Sequence, residues 1–376
     1  MSTTIIARNY RGLADVRLTL PVGLSAVVGT NGAGKTTLGF VGDLLKRATA
    51  SGLGGLSAAV EHYGGGRNLR YFGAAPDARV VLGIEAGDTR WEIEPEPSGG
   101  GIAANPAERL TVGERVLFDR QAGRPEVDWN GKPVIVKDDR TVLRRLMDGT
   151  LEGEFEGARL LDLIEGYRLH VDMDLRAIRA GSPDSSHRQL QTDGANVFAV
   201  LRNWRDWSED RHRFDFVIEA LRECFGFFEG MDFLKGGNVI EGHIQHRGFK
   251  GKLVPAGFES NGLLAALLRF TAVASASRGQ MVFIDEFENS LHPRAMREGL
   301  ELVEQYAKLH EISVILATQS TELLNWFDDR PERVLVMDNR FRPSPRPLTD
   351  LRTAEWLSHF RLGEKYAEGD FGADEG

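Results

Sequence analysis

The sequence predicts an α/β fold with a phosphate-binding loop, a mixed sheet, peripheral antiparallel strands and a mostly helical insertion. Three observations predict it. Leu24 to Val28 is a nearly continuous apolar run, the pattern of a strand buried on both faces of a parallel sheet. A glycine-rich segment, Gly29-Thr30-Asn31-Gly32-Ala33-Gly34-Lys35-Thr36, follows at once. A second apolar run, Met281-Val282-Phe283-Ile284, ends in two adjacent carboxylates, Asp285 and Glu286.

Taken in order, residues 3–8 and 16–28 read as strands. Beyond the glycine-rich loop, Leu38, Val41, Leu44 and Leu45 fall on one face of a helix from Thr36 to Arg47. Gly52 to Gly66 holds six glycines and reads as a loop. Alternating segments at Arg79 to Glu94 and Arg115 to Asp128 read as antiparallel strands around the turn-rich Pro95 to Pro106. From Asp138 to Phe228 the pattern is mostly helical, with helices at 141–147, 159–164, 196–207 and 213–225 and a loop at 181–194. Strands return at 239–244 and 251–254. A helix at 261–276, the strand at 281–284, a helix at 293–309, strands at 312–317 and 334–337 and a polar, acidic tail complete the chain. This divides it into a first core half (1–137), an insertion (138–230) and a second core half (231–376).

The composition is that of an ordinary globular protein, with 41% hydrophobic and 27% charged residues. A formal net charge of -9 argues against a surface that coats nucleic acid throughout. The only cysteine is Cys224, so no intramolecular disulfide forms, and a reducing, cytoplasmic setting is expected. No stretch has signal-peptide character or the roughly 20 apolar residues of a membrane span, so no membrane partner is expected.

Gly29 to Thr36 meets the pattern G-x-x-x-x-G-K-[ST], and each fixed position has a physical task. Glycines let the backbone wrap until successive N–H groups point at phosphate oxygens, and the following helix adds its positive end. Lys35 is expected to reach the β- and γ-phosphates of ATP, and Thr36 to offer its hydroxyl to Mg²⁺. Asn31, Gly32, Ala33, Gly34 and Thr37 complete the cradle. The strand before the loop and the helix after it are the context this motif requires. Asp285 is the expected second Mg²⁺ ligand, and Glu286 the residue that polarises the attacking water. Lys35 and Asp285 lie 250 residues apart (285 - 35), so a large insertion separates two halves of one site.

Asn31 to Thr37, Glu259-Ser260-Asn261-Gly262 and the run Asp285 to Pro293 together resemble the ABC-type ATPases of the RecF, SMC and overcoming-lysogenization-defect kind. The resemblance is strongest to the stand-alone AAA family ATPases of prokaryotes, many of them in anti-phage or toxin-like systems. Phe287 stands where that family usually has proline. Asp193 to Val197, Glu355 to Leu357 and Leu362 to Glu364 resemble further family segments. The resemblance implies that Ser260 and Gly262 form a signature binding the γ-phosphate of ATP held by a second copy, head to tail. It also places Gln319, in Thr318-Gln319-Ser320, where relatives carry a γ-phosphate-sensing histidine. Glutamine can donate a hydrogen bond but cannot take up a proton or a charge, so slower or differently gated hydrolysis is expected.

The expected function is an ATP-dependent dimeric switch controlling a separate effector, a nuclease or toxin, in anti-phage defence. About 40 residues follow Met337, too few for a nuclease domain in cis. The alternative is a DNA-binding repair ATPase. The arginine and aromatic clusters at 202–207, 211–213 and 243–252 bear on it, but their interleaved acids read as solvated helix faces. No long heptad repeat supports a coiled-coil arm. The long insertion, Ser-Asn-Gly in the signature and Gln319 disfavour a transporter subunit, and His243 and His246 lack zinc-ligand spacing.

Overall fold

The computed structural model describes residues 3–50, 55–129, 132–136, 140–149, 157–171, 173–249, 251–338 and 344–372. A six-stranded central sheet organises the chain, in the order Arg168–His170, Met281–Asp285, Ser313–Thr318, Gly23–Val28, Val334–Val336, Arg346–Pro347. The first five are parallel and the last is antiparallel. The two apolar runs singled out in the sequence are therefore interior strands, separated by Ser313–Thr318.

Alternation along these strands feeds two cores. Leu24, Ala26 and Val28, with Val282, Ile284, Val314 and Leu316, face a core shared with the helices Val197–Asp206, Arg211–Cys224, Asn261–Ala274 and Pro293–Leu309. Val27, Met281, Phe283, Ile315 and Ala317 face the other. There the helix Lys35–Thr49 packs between the central sheet and an antiparallel sheet of order 13–20, 3–10, 81–86, 89–94, 107–112, 115–120. Because side chains alternate faces with period 2, an apolar run without polar interruption is what a strand between two cores demands.

Other elements depart from the sequence reading. The expected strand 16–28 is two, Leu13–Leu20 and Gly23–Val28, divided at Pro21 and Val22. Gly23 takes a positive φ of 95° and leaves room only for Glu304, whose carboxylate accepts from Leu24 N at 2.6 Å. Gly55–His62, expected within a loop, is a helix that buries Leu56, Ala59 and Val60; residues 52–54 of that expected loop lie outside the described residues. The mostly helical stretch also contributes Arg168–His170 to the edge of the central sheet. Phe228–Gly236, unassigned from sequence, pairs with Val239–His246, so a boundary at 230/231 cuts a continuous strand. The boundary at 137/138 lies outside the described residues. The tail is not merely polar: it forms helices at Leu348–Leu351, Ala354–His359 and Leu362–Ala367 that bury Leu348, Leu357 and Leu362. Among the described residues no helix is long and apolar enough to cross a membrane.

Candidate functional site

The loop at Gly29 to Thr36 joins the central strand Gly23–Val28 to the helix Lys35–Thr49. Its path depends on glycine at two places. A Cβ on Gly29 would lie 2.2 Å from the carbonyl oxygen of Met337. Gly34 caps the helix with φ 94°, the left-handed region that glycine enters without steric cost. Lys35 is 8% exposed, and its Nζ donates to the carbonyls of Gly29 at 2.7 Å and Thr30 at 3.0 Å. Burial pushes the lysine pKa down, opposed by the carboxylates of Asp285, Glu286 and Glu288.

The parallel pairing of Met281–Asp285 and Gly23–Val28 to Ser313–Thr318 carries the acids to the loop's end of the sheet. There the Thr36 hydroxyl donates to Asp285 Oδ2 at 2.6 Å. The chain then turns sharply. Glu286 (φ 52°) and Ser290 (φ 66°) are both in the left-handed region, and Glu286 N is held by Ala317 O at 2.9 Å. The Glu286 carboxylate accepts from the Asn289 side chain. Thr36, Asp285, Glu286, Asn289, Ser290 and Arg269 share the wall of a cavity of about 470 Å³. Phe287 is fully buried, with the Arg269 guanidinium 5.7 Å from its ring centroid. An apolar anchor thus stands under the turn at the position where proline was the expected residue.

Gln319 reaches the loop directly: its Nε2 donates to Asn31 Oδ1 at 2.7 Å. Ser260 and Gly262 are placed differently. Ser260 is exposed and caps the helix Asn261–Ala274, its hydroxyl accepting from Leu263 N at 3.3 Å. Gly262 lies against Ser290, whose carbonyl oxygen would be 2.9 Å from an added Cβ. Neither makes a hydrogen bond to the loop among those described. Ala33 is fully buried, Asn31 and Gly32 are exposed, and Thr37 lies in the first turn of the helix Lys35–Thr49.

Several contributors went unnoticed in the sequence. The Tyr366 hydroxyl donates to Gly29 O at 3.1 Å, bringing the C-terminal helices onto the loop. Glu288 accepts from the Thr318 hydroxyl at 2.6 Å, and burial raises its pKa, with Thr318 and the Arg269 cation pulling it back. Arg269 donates to Glu286 O at 3.0 Å, and burial lowers its pKa to about 10. Arg179 donates to Glu259 O and Asn261 Oδ1, both at 2.8 Å, and so straps the segment carrying Ser260. The run Asp285 to Pro293 carried a signal for Glu288; no local pattern marks Tyr366 or Arg179.

The arginine clusters are largely neutralised within the fold. Arg202 pairs with Asp184 at 2.7 Å, Arg205 with Asp206 and Asp232 at 2.8 and 2.6 Å, and Arg211 with Asp215 at 2.9 Å.

Residues 150–325 match the family model described as "AAA domain, putative AbiEii toxin, Type IV TA system". No curated protein matches the chain. Among solved structures, a SmcHead bound to the C-winged helix domain of ScpA is 14% identical, with 86% of this chain and 91% of that chain covered at a TM-score of 0.48. An Smc head with an extended coiled coil, bound to the C-terminal domain of ScpA derived from Pyrococcus furiosus, is 12% identical, covering 86% and 90% at a TM-score of 0.39. The SMC head domain from Thermotoga maritima is 12% identical, with the same coverage at 0.40.

Proposed function

We propose, from the premise that this chain is an ABC-type AAA ATPase, that it hydrolyses ATP in a site completed by a second copy and uses the cycle to switch a separate effector. The observation that carries the reading is the 2.6 Å contact between Thr36 and Asp285, made across 249 residues beside the buried Lys35. One hydroxyl and one carboxylate at this spot suit Mg²⁺, which takes few protein oxygens and completes its shell with phosphate oxygens and water. When bound, the ion would neutralise phosphate charge.

The chain's own residues supply the rest. Lys35 leaves its carbonyl partners for phosphate oxygens, a stronger, charge-assisted acceptor. Backbone N–H groups at Gly32 to Thr36 and the helix start cradle the phosphates. Glu286, on the cavity wall beside Asp285, orients a water for attack. Gln319 senses the terminal phosphate through the neighbourhood of Asn31. Ser260, exposed, and the half-buried Gly262 make no hydrogen bond to the loop in cis among those described and suit a role toward nucleotide held by another copy. The 138–230 segment would pass dimerisation to the effector. The toxin wording of the matched family description supports a nuclease or toxin in a defence system as that effector. The neutralised arginines count against DNA as the direct ligand.

The test is Glu286→Gln. ATP turnover should fall about 100-fold or more, the scale of a lost general base, while ATP stays bound and head-to-tail dimers accumulate on a sizing column. Unchanged turnover would remove Glu286 from the reaction.

A further inference from the structure

A second cavity, of about 530 Å³, lies along the sheet's edge strand, lined by Asp43, Lys46, Arg168, His170 and the loop 190–193 among others; Val171 is common to its wall and that of the cavity at Thr36 and Asp285. Neither Lys35 nor the glycine-rich loop contributes to it. Its size is in the range of small-molecule sites.

Its charge is unusual. Arg168 is 4% exposed; its Nη1 donates only to the carbonyls of Glu165 at 2.9 Å and Tyr167 at 3.1 Å, and its buried Nε has no partner. Lys46 Nζ donates to Tyr167 O at 2.9 Å. Among the described residues, neither cation forms a salt bridge. Asp43, on the same wall, hydrogen-bonds Arg47 and the Tyr63 hydroxyl, and its charge also acts on Lys46 and His170. Asp193 is exposed and accepts from Ala195 N at 3.0 Å. Arg213 adds repulsion on Arg168.

His170, 1% exposed, lines the same cavity with both ring nitrogens outside hydrogen-bonding geometry. Burial first, and Arg168 second, push its pKa down to about 3, weakly opposed by the main chain of Thr192, so the ring is neutral at pH 7. Buried cations are normally paired and buried polar nitrogens normally bonded. Here two cations and an imidazole, carried by one helix and one strand, face a common cavity with carbonyls as their only hydrogen-bond acceptors.

We propose that this cavity is a second anion site, binding a small phosphate-bearing molecule through Lys46 and Arg168, with His170 donating to a phosphate oxygen. Guanidinium and ammonium are the groups that recognise phosphate. The exposed side chains of Gln191 and Thr192 at the mouth suit the neutral part of a ligand larger than phosphate itself.

Calorimetric titration of the full chain carrying Lys35→Ala, which silences the first phosphate site, tests this with inorganic phosphate and AMP as separate probes. The expected result is saturable binding with a Kd near or below about 1 mM, weakened at least tenfold by adding Lys46→Gln. Tighter binding of AMP than of phosphate would identify a nucleotide-like occupant, and equal binding the free anion. The ¹⁵N resonances of His170 in the unmutated chain should also move with phosphate, a readout that does not depend on any variant folding. Absence of saturable binding for both probes, or binding indifferent to Lys46→Gln, overturns the proposal.

Discussion

The two halves of the proposed nucleotide site are built in opposite ways. The glycine-rich loop is held from several directions: Gly29 against Met337, Tyr366 on the carbonyl of Gly29, Lys35 buried, and Thr36 bonded to Asp285. The segment Glu259 to Gly262 is exposed at Ser260 and Asn261, and it is fastened by Arg179 and, through the buried Glu259 carboxylate, by His246 at 2.7 Å. A group that binds ligand in its own chain gains from being fixed beforehand, because less freedom is lost on binding. A group that must meet a second molecule needs instead to be accessible, with its aim set by few contacts.

The sharpest way to break that comparison is Gly29→Ala. The added methyl has nowhere to go but the Met337 carbonyl, so a loss of about 3 kcal/mol is expected, seen as a lower melting temperature together with lost ATP binding. A variant as stable as the parent would show the loop to be looser than described. Next in size is Arg179→Ala. ATP affinity of the single chain should be unchanged, while turnover per chain falls about tenfold, the scale of one lost charged hydrogen bond; a fall in monomer affinity would mean that the two halves are not separable. The smallest effect belongs to Gln319→Ala, whose hydrogen bond to Asn31 is exposed. Turnover should change by about fivefold or less, equivalent to ~1 kcal/mol, and a larger loss would point to a direct hold on the reacting phosphate.

What was legible in the sequence tracks how local each signal is. Pro293 to Leu309 was readable to the residue because proline opens the helix and apolar positions recur at helical spacing. The loop and the acids at 285 and 286 were legible because their chemistry requires contiguous residues. Arg168–His170 was not: three residues, two of them basic, carry no strand pattern, and pairing with Met281–Asp285 makes them one. The helix Gly55–His62 was hidden by the glycines around it, and packing of Leu56, Ala59 and Val60 overrides that composition. Tyr366 meets Gly29 from 337 residues away; only the fold makes such neighbours.

The contact between Thr36 and Asp285 also has a meaning in time. During synthesis the loop leaves the ribosome some 249 residues before its acid partner, and at ~5–20 residues per second that interval is tens of seconds at the slow end. Until the strand Met281–Asp285 and then Ser313–Thr318 arrive, Gly23–Val28 lacks the neighbour that aligns it with the acids. A nascent chain therefore carries the phosphate loop long before it can hold a competent site. The Thr36–Asp285 contact is acquired near the end of synthesis, as one late event.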